Sequence, residues 1–273
     1  MATKQAWREV LYNVTMRATE YSDINDLLDD LLSRMRAILG QRLVGLYLYG
    51  SLVWGDFDHD ISDIDMLAAT ATDVNENEFA ALGQMHKDFA AAYPKWDNRI
   101  EVQYLSLAGL RSFRTAVTRM AAISPGDPFH VIEAGKDWLM NWYFVQENGV
   151  TLFGPPARTI IAPISKEEFV QSVVDHATQW PEWVAATMNS RHYQGYAILT
   201  ACRALYTFRN GVQVSKKRAA EWAQHELPQW ADLIGNALQW RQQARRAADI
   251  DHTATYPETM RFVEYVSDLI QAG

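Results

Sequence analysis

The sequence predicts an α/β domain followed by an all-α domain, and three observations carry that prediction. Short apolar runs of strand length alternate with helix-periodic segments before residue 150. Gly154, Pro155 and Pro156 then interrupt the pattern. From Lys166 onward nearly every segment has helical periodicity, with Trp180, Trp183, Trp222, Trp230 and Trp240 as bulky packing groups. The expected boundary lies between Pro155 and Pro163, giving domains at residues 1–157 and 158–273.

Each element has its own signal. Two helices are expected to open the chain. In the second, Asp23, Asp26, Asp29 and Asp30 sit early, where the helix dipole favours negative charge. Leu27, Leu28, Leu31, Leu32, Met35 and Leu39 follow at helical spacing, and Gly40 is placed to end the helix. Arg42–Tyr49 has the apolar density of a buried strand, and Asp63–Ala69 follows as a second after a Gly-Ser turn. Asn75–Tyr93 reads as a helix closed by Pro94. Arg99–Leu105 reads as a third strand, with Ile100, Val102 and Tyr104 on one face and Glu101 and Gln103 on the other. Further on, Ala197–Asn210 forms an apolar helix ending at Gly211, and Ser215 is an N-cap for the next.

Composition bounds what such a protein can be. The 273 residues are 48% hydrophobic and 21% charged, the profile of a soluble globular chain and not of a disordered one. A single cysteine, Cys202, excludes a disulfide framework and a thiolate metal cluster, and reads as a small core residue. The seven histidines lack HxxxH or HExxH spacing, which argues against a histidine-based zinc site. The longest uncharged apolar stretch, Leu43–Gly55, is shorter than the ~20 residues a bilayer requires, so no membrane partner is expected. The opening MATKQAWREV has no apolar run, so no secretory signal is expected and a cytoplasmic location is. A monomer is expected. With 25 basic and 33 acidic residues the net charge is −8, a poor match to nucleic acid and a better one to a cationic small molecule.

Chemistry is concentrated at Tyr49–Gly55 and Ser62–Asp65. Gly50 allows a tight turn and a close backbone approach. Ser51 follows where a helix can start, and its exposed N–H groups suit phosphate oxygens. Asp63 and Asp65 are two apart on a strand, so their side chains share a face at ~7 Å between Cα atoms. Such carboxylates repel one another unless a cation lies between them, and Mg²⁺ is the expected cation, bound together with substrate phosphates. Glu101, on the polar face of a later strand, completes the set. Asp56, Asp58, His59 and Asp60 are expected to form a solvated loop. Lys216, Lys217 and Arg218 place three cations in a helix's first turn, against its dipole; by themselves they read as a solvent-exposed basic turn, and a bound triphosphate would remove the conflict. Arg203, inside an apolar helix, either lies on an exposed stripe or is partly buried and needs an anion.

The Gly50-Ser51 turn, the Ser62-Asp63-Ile64-Asp65 run and Ile100-Glu101-Val102 together resemble the nucleotidyltransferase superfamily, whose core is shared with polymerase β. More narrowly, Gly149–Pro155, Cys202–Tyr206 and Ser215–Lys217 leading to Glu221-Trp222 resemble the aminoglycoside (3'')(9)-adenylyltransferases, the streptomycin and spectinomycin resistance enzymes. The resemblance implies a polymerase β-like domain with a mixed sheet, a helical bundle domain, and an active site in the cleft between them. It implies ATP as co-substrate and two Mg²⁺ ions held by Asp63 and Asp65 with Glu101. Glu101 would also act as general base, and Gly50, Ser51, Ser62, Arg203 and Lys216 would hold the nucleotide's phosphates. The expected reaction passes AMP to a hydroxyl of a cationic antibiotic. The residues that select streptomycin match only loosely, through Trp180 with Glu182, or Trp183, which favours spectinomycin. Two alternatives stand beside this reaction: a nucleotidyltransferase that modifies a protein or another small molecule, and a non-catalytic, antitoxin-like nucleotide-binding module.

Overall fold

The structure, a computed structural model, describes residues 17–243 and 251–273, and the first of the two opening helices expected from the sequence lies outside them. The second is α1 (Ser22–Leu39), which buries Ile24, Leu27, Leu31 and Met35 and ends at Gly40 with φ of 53°. The three strands foreseen from the sequence are β1 (Leu43–Tyr49), β2 (Ile64–Thr70) and β3 (Ile100–Ser106). Between them lie the single-turn α2 (Ser51–Trp54) and α3 (Glu76–Ala92). Asn75 caps α3 with a reciprocal Asn75–Glu78 box.

Three further strands complete the sheet: β4 (Thr118–Ser124), β5 (Asp127–Ala134) and β6 (Val150–Phe153). The order is β5-β4-β3-β2-β1-β6. Among the described strands only β2 and β3 run parallel, so the sheet is mixed, as expected. Two helices, α4 (Leu107–Ser112) and α5 (Leu139–Asn148), interrupt this half of the chain. Alternation along the strands divides the packing into two layers. Leu46, Leu48, Met66 and Val102 pack with α1 and α3 on one face. Tyr47, Leu67, Leu105 and Trp142 pack with α4 and α5 on the other.

The rest of the described chain is helical: α6 (Lys166–Val184), α7 (Arg191–Asn210), α8 (Lys216–Glu226), α9 (Ala231–Gln243) and α10 (Tyr256–Ala272). Helix α6 belongs to both halves. Phe169 and Val173 near its start join the second face of the sheet, whereas Ala177, Trp180 and Val184 join the helical core. That continuous helix fixes one half against the other and so sets the width of the cleft between them.

Gln194 of α7 is fully buried and ties the helical half together. Its Nε2 donates to the carbonyls of Met188 at 3.1 Å and His252 at 2.8 Å, and its Oε1 accepts from Thr255 Oγ1 at 2.7 Å. Leucine there would keep the volume and strand these partners without water. Gln194→Leu is expected to lower stability by about 2–4 kcal/mol, since each orphaned buried group costs about 1–3 kcal/mol. Urea denaturation checks this, and a loss of less than about 0.5 kcal/mol would contradict the role assigned to Gln194.

Candidate active site

The site begins where β1 ends. Gly50 has φ of 76°, and a Cβ there would overlap the Asp65 carboxylate, so both backbone angle and space require glycine. Ser51 opens α2, which closes on Gly55 in the left-handed region. Trp54 of α2 packs edge-on against Phe144 of α5, with ring centroids 5.2 Å apart. The Ser51 hydroxyl oxygen is buried and has no hydrogen-bond partner among the described residues.

Strand register assembles the acids. Tyr49 pairs with Asp65 across β1 and β2, and Asp65 pairs with Glu101 across β2 and β3, so the three lie in one row. Asp63 stands just before β2. One carboxylate oxygen from each of Asp63, Asp65 and Glu101 lies within 4.8 Å of the others. Burial, reinforced by Asp63 and Glu101, holds Asp65 well above the usual carboxylate range. Burial and then Asp63 push Glu101 up to about 7. Gln103 Nε2 steadies Glu101 by donating to its Oε1 at 2.9 Å, and also donates to Tyr49 Oη at 2.7 Å. Three hard oxygen donors, half-buried and mutually repelling, fit a divalent cation such as Mg²⁺.

The opposite wall of the cleft is cationic. Arg203 comes from α7, Lys216 from the first residue of α8 and Arg241 from α9, and all three line one cavity of about 230 Å³ with the acids. Lys216 Nζ lies 3.8 Å from the centre of the Tyr196 ring. Burial, with Arg203 and Arg241 nearby, brings Lys216 down to about 7, and burial also lowers Arg203. Ser215 caps α8 by accepting from the Arg218 N–H at 3.2 Å, which aims Lys216 inward while Lys217 and Arg218 stay exposed. A second cavity of about 520 Å³, walled by Trp138, His176, Trp180 and Trp183, adjoins the first through Asn141, Phe144, Tyr196 and Arg203.

Of the residues singled out from the sequence, Gly50, Ser51, Asp63, Asp65, Glu101, Arg203 and Lys216 line one cavity. Ser62 does not line it. It is buried, its Oγ accepts from the Asp58 N–H at 3.0 Å and its carbonyl accepts from Arg99, so it braces the loop before β2. Glu182 is exposed and lines neither cavity, whereas Trp180 lines the second. The acidic loop splits. Asp58 accepts from the Asp60 N–H within the loop, as a solvated turn would. Asp56, however, lines the main cavity with a buried Oδ1 that has no partner among the described residues. Tyr196 and Arg241, also in the cavity, carry no local signal, because tertiary packing alone distinguishes them from surface positions on their helices.

Residues 159–268 match the sequence model of a family described as the aminoglycoside adenylyltransferase C-terminal domain. An Escherichia coli aminoglycoside (3'') (9) adenylyltransferase is 23% identical over 265 residues, covering 92% of this chain and 96% of that one. A Shigella flexneri protein of the same name is 23% identical over 237 residues, covering 82% and 87%. The fold is shared with a crystal structure of spectinomycin adenyltransferase AAD(9) from Enterococcus faecialis with ATP and spectinomycin. That likeness has a TM-score of 0.69 at 14% identity and covers 90% of this chain and 98% of that one.

The chain has the fold of that adenyltransferase and is similar in sequence to enzymes of the nucleotidyltransferase class. More narrowly, the resemblance drawn from the sequence holds: the chain is similar over nearly its whole length to the aminoglycoside (3'')(9)-adenylyltransferases. No helix among the described residues is long and apolar enough to cross a membrane.

The raised carboxylates have a consequence for stability. Glu101 moves from 4.5 to about 7 on folding, so between those pH values the native state binds more protons than the unfolded chain. Stability through this group is therefore present at low pH and falls as pH rises through the window. With a chelator present, Glu101→Gln is expected to gain stability over the parent protein as pH goes from 5 to 8. Thermal midpoints check this; a difference that does not change with pH would contradict a raised Glu101.

Proposed function

We propose that the protein transfers AMP from ATP to a hydroxyl of an aminocyclitol or aminoglycoside antibiotic, spectinomycin first and streptomycin second, releasing pyrophosphate. One observation carries the proposal: three carboxylates from the sheet face Arg203 and Lys216 from the helical half across one cavity. The similarity to enzymes named for this chemistry supports it. In this scheme the segment 1–157 supplies the carboxylates and 158–273 supplies phosphate-binding cations.

Asp63, Asp65 and Glu101 would hold Mg²⁺, which when bound neutralises triphosphate charge and aligns the α-phosphorus for in-line attack. Ser51 offers its unpartnered hydroxyl to the leaving phosphates, and Arg203 meets their charge. Tyr49 and Gln103 keep Glu101 oriented. Glu101, whose carboxylate faces the cavity, takes the acceptor's proton as general base. The acceptor oxygen bonds to the α-phosphorus while the bond to the bridging oxygen breaks. The electron pair leaves with pyrophosphate, and the proton ends on Glu101. Acceptor and leaving group must lie on opposite sides of that phosphorus. Gly50 and Ser51 hold the leaving group beside β1, so the acceptor approaches from the β3 side, past Asp63.

The test is pyrophosphate release from ATP and Mg²⁺ with a panel of antibiotics, joined to mass spectrometry of the drug. An adenylylated spectinomycin is the expected product. Glu101→Gln should reduce turnover by about 10²–10⁴-fold, and cells expressing it should lose the tolerance conferred by the parent protein. Failure of the parent protein to modify any drug of the panel while binding ATP would overturn the antibiotic as acceptor.

A further inference from the structure

We infer that Arg241 of α9 binds the phosphate being transferred, as a third nucleotide-binding cation beside Arg203 and Lys216. The inference rests on adenylyl transfer as the reaction.

Two cavities meet at Asp63. The first contains Gly50, Ser51, Asp56 and Arg203. The other, about 380 Å³, opens beyond Asp63 toward Asn98 and the β4–β5 turn at Pro125 and Gly126, and is also walled by His192 and Tyr193. Among the described residues, only Asp63, Tyr196, Lys216 and Arg241 line both. With pyrophosphate leaving in the first cavity and the acceptor entering through the other, the phosphorus between them sits at the shared wall. Lys216 and Arg241 are the cations of that wall, so they face the non-bridging oxygens of the α-phosphate. Arg203 lines the first cavity and not the other, and faces the leaving group.

A second observation concerns Arg241 itself. It is half-buried, and it has neither an ion pair nor a side-chain hydrogen bond among the described residues. Its positive charge adds to the effects that lower Lys216, Arg203 and His192. Keeping a partly desolvated cation beside two others without an ion pair is unfavourable until an anion joins them. A guanidinium presents a planar fork that can span two phosphate oxygens. Arg241 therefore supplies the geometry, and Lys216 a point charge, at the atom that changes bonds.

³¹P NMR of bound Mg·ATP tests the assignment without needing an acceptor. Arg241→Gln should move the α-phosphorus resonance and leave the β and γ resonances in place, whereas Arg203→Gln should move β and γ. With acceptor present, Arg241→Gln should lower kcat by about 10²-fold with little change in the KM for ATP, and Arg241→Lys should recover part of the loss. An α resonance unchanged in Arg241→Gln, or an unchanged kcat, overturns the assignment. Should the glutamine variant not fold, Arg241→Lys is read in the same way, because exchanging a fork for a point charge must still move the α resonance. If the parent protein binds Mg·ATP but modifies no antibiotic, the proposed acceptor fails while the α resonance still decides Arg241. Absence of Mg·ATP binding overturns both.

Discussion

Two groups of like charge are held face to face across a cleft without neutralising one another. Asp63, Asp65 and Glu101 gather on the sheet, and Arg203, Lys216 and Arg241 gather on the helices, all around one cavity. None of the six forms an ion pair among the described residues. Each group strains its own members: burial and then the neighbouring acids hold Asp65 and Glu101 high, and burial and then the neighbouring cations hold Lys216 low. Closing the cleft to pair them would relieve that strain. A polyanion carrying a divalent cation relieves it equally well with the cleft open, its phosphates against the cations and its metal against the acids.

The fold keeps the groups apart with few devices. Glycine at position 50 lets the turn after β1 pass against the Asp65 carboxylate. Parallel pairing of β2 with β3 sets Glu101 beside Asp65, and Gln103 on the same strand holds the Glu101 carboxylate in place. On the other side, the Ser215 cap fixes the first turn of α8 and with it Lys216. Helix α6, buried at one end in the sheet layer and at the other in the helical core, braces the two walls. Stability is given up at the cleft and recovered in the cores around it, as is common at catalytic sites.

Much of this was legible in the sequence because it is local. Strands β1, β2 and β3 carry dense apolar runs, and Gly50, Asp63 and Asp65 lie within sixteen residues of one another. Glu101 followed from period-two alternation in its strand. The strands β4 and β5 were missed because their sequences, TRMAAIS and DPFHVIEA, hold few β-branched residues and little alternation, and β6 is only four residues long. Their pairing comes from a sheet edge already formed by β3 and β1. Asp56 was hidden by its neighbours, since a run with Asp58 and Asp60 reads as solvated until the chain folds one member inward. Ser62 was read from its place beside Asp63, whereas the structure sets it outside the cavity lining, with its Oγ accepting from the Asp58 N–H. Arg241 depends on how α9 packs against α7 and α8, which no local pattern encodes.

The central claim is that the separated charges are complementary to a metal-bearing nucleotide and not to either component alone. Calorimetric titration of the full chain with ATP, with and without Mg²⁺, tests it most directly. The account predicts clear binding of Mg·ATP and a loss of about tenfold or more in affinity when Mg²⁺ is chelated, because bare ATP adds four negative charges beside three carboxylates. Equal affinity in the two titrations would show that the carboxylates play no part in holding the nucleotide, and would contradict the account.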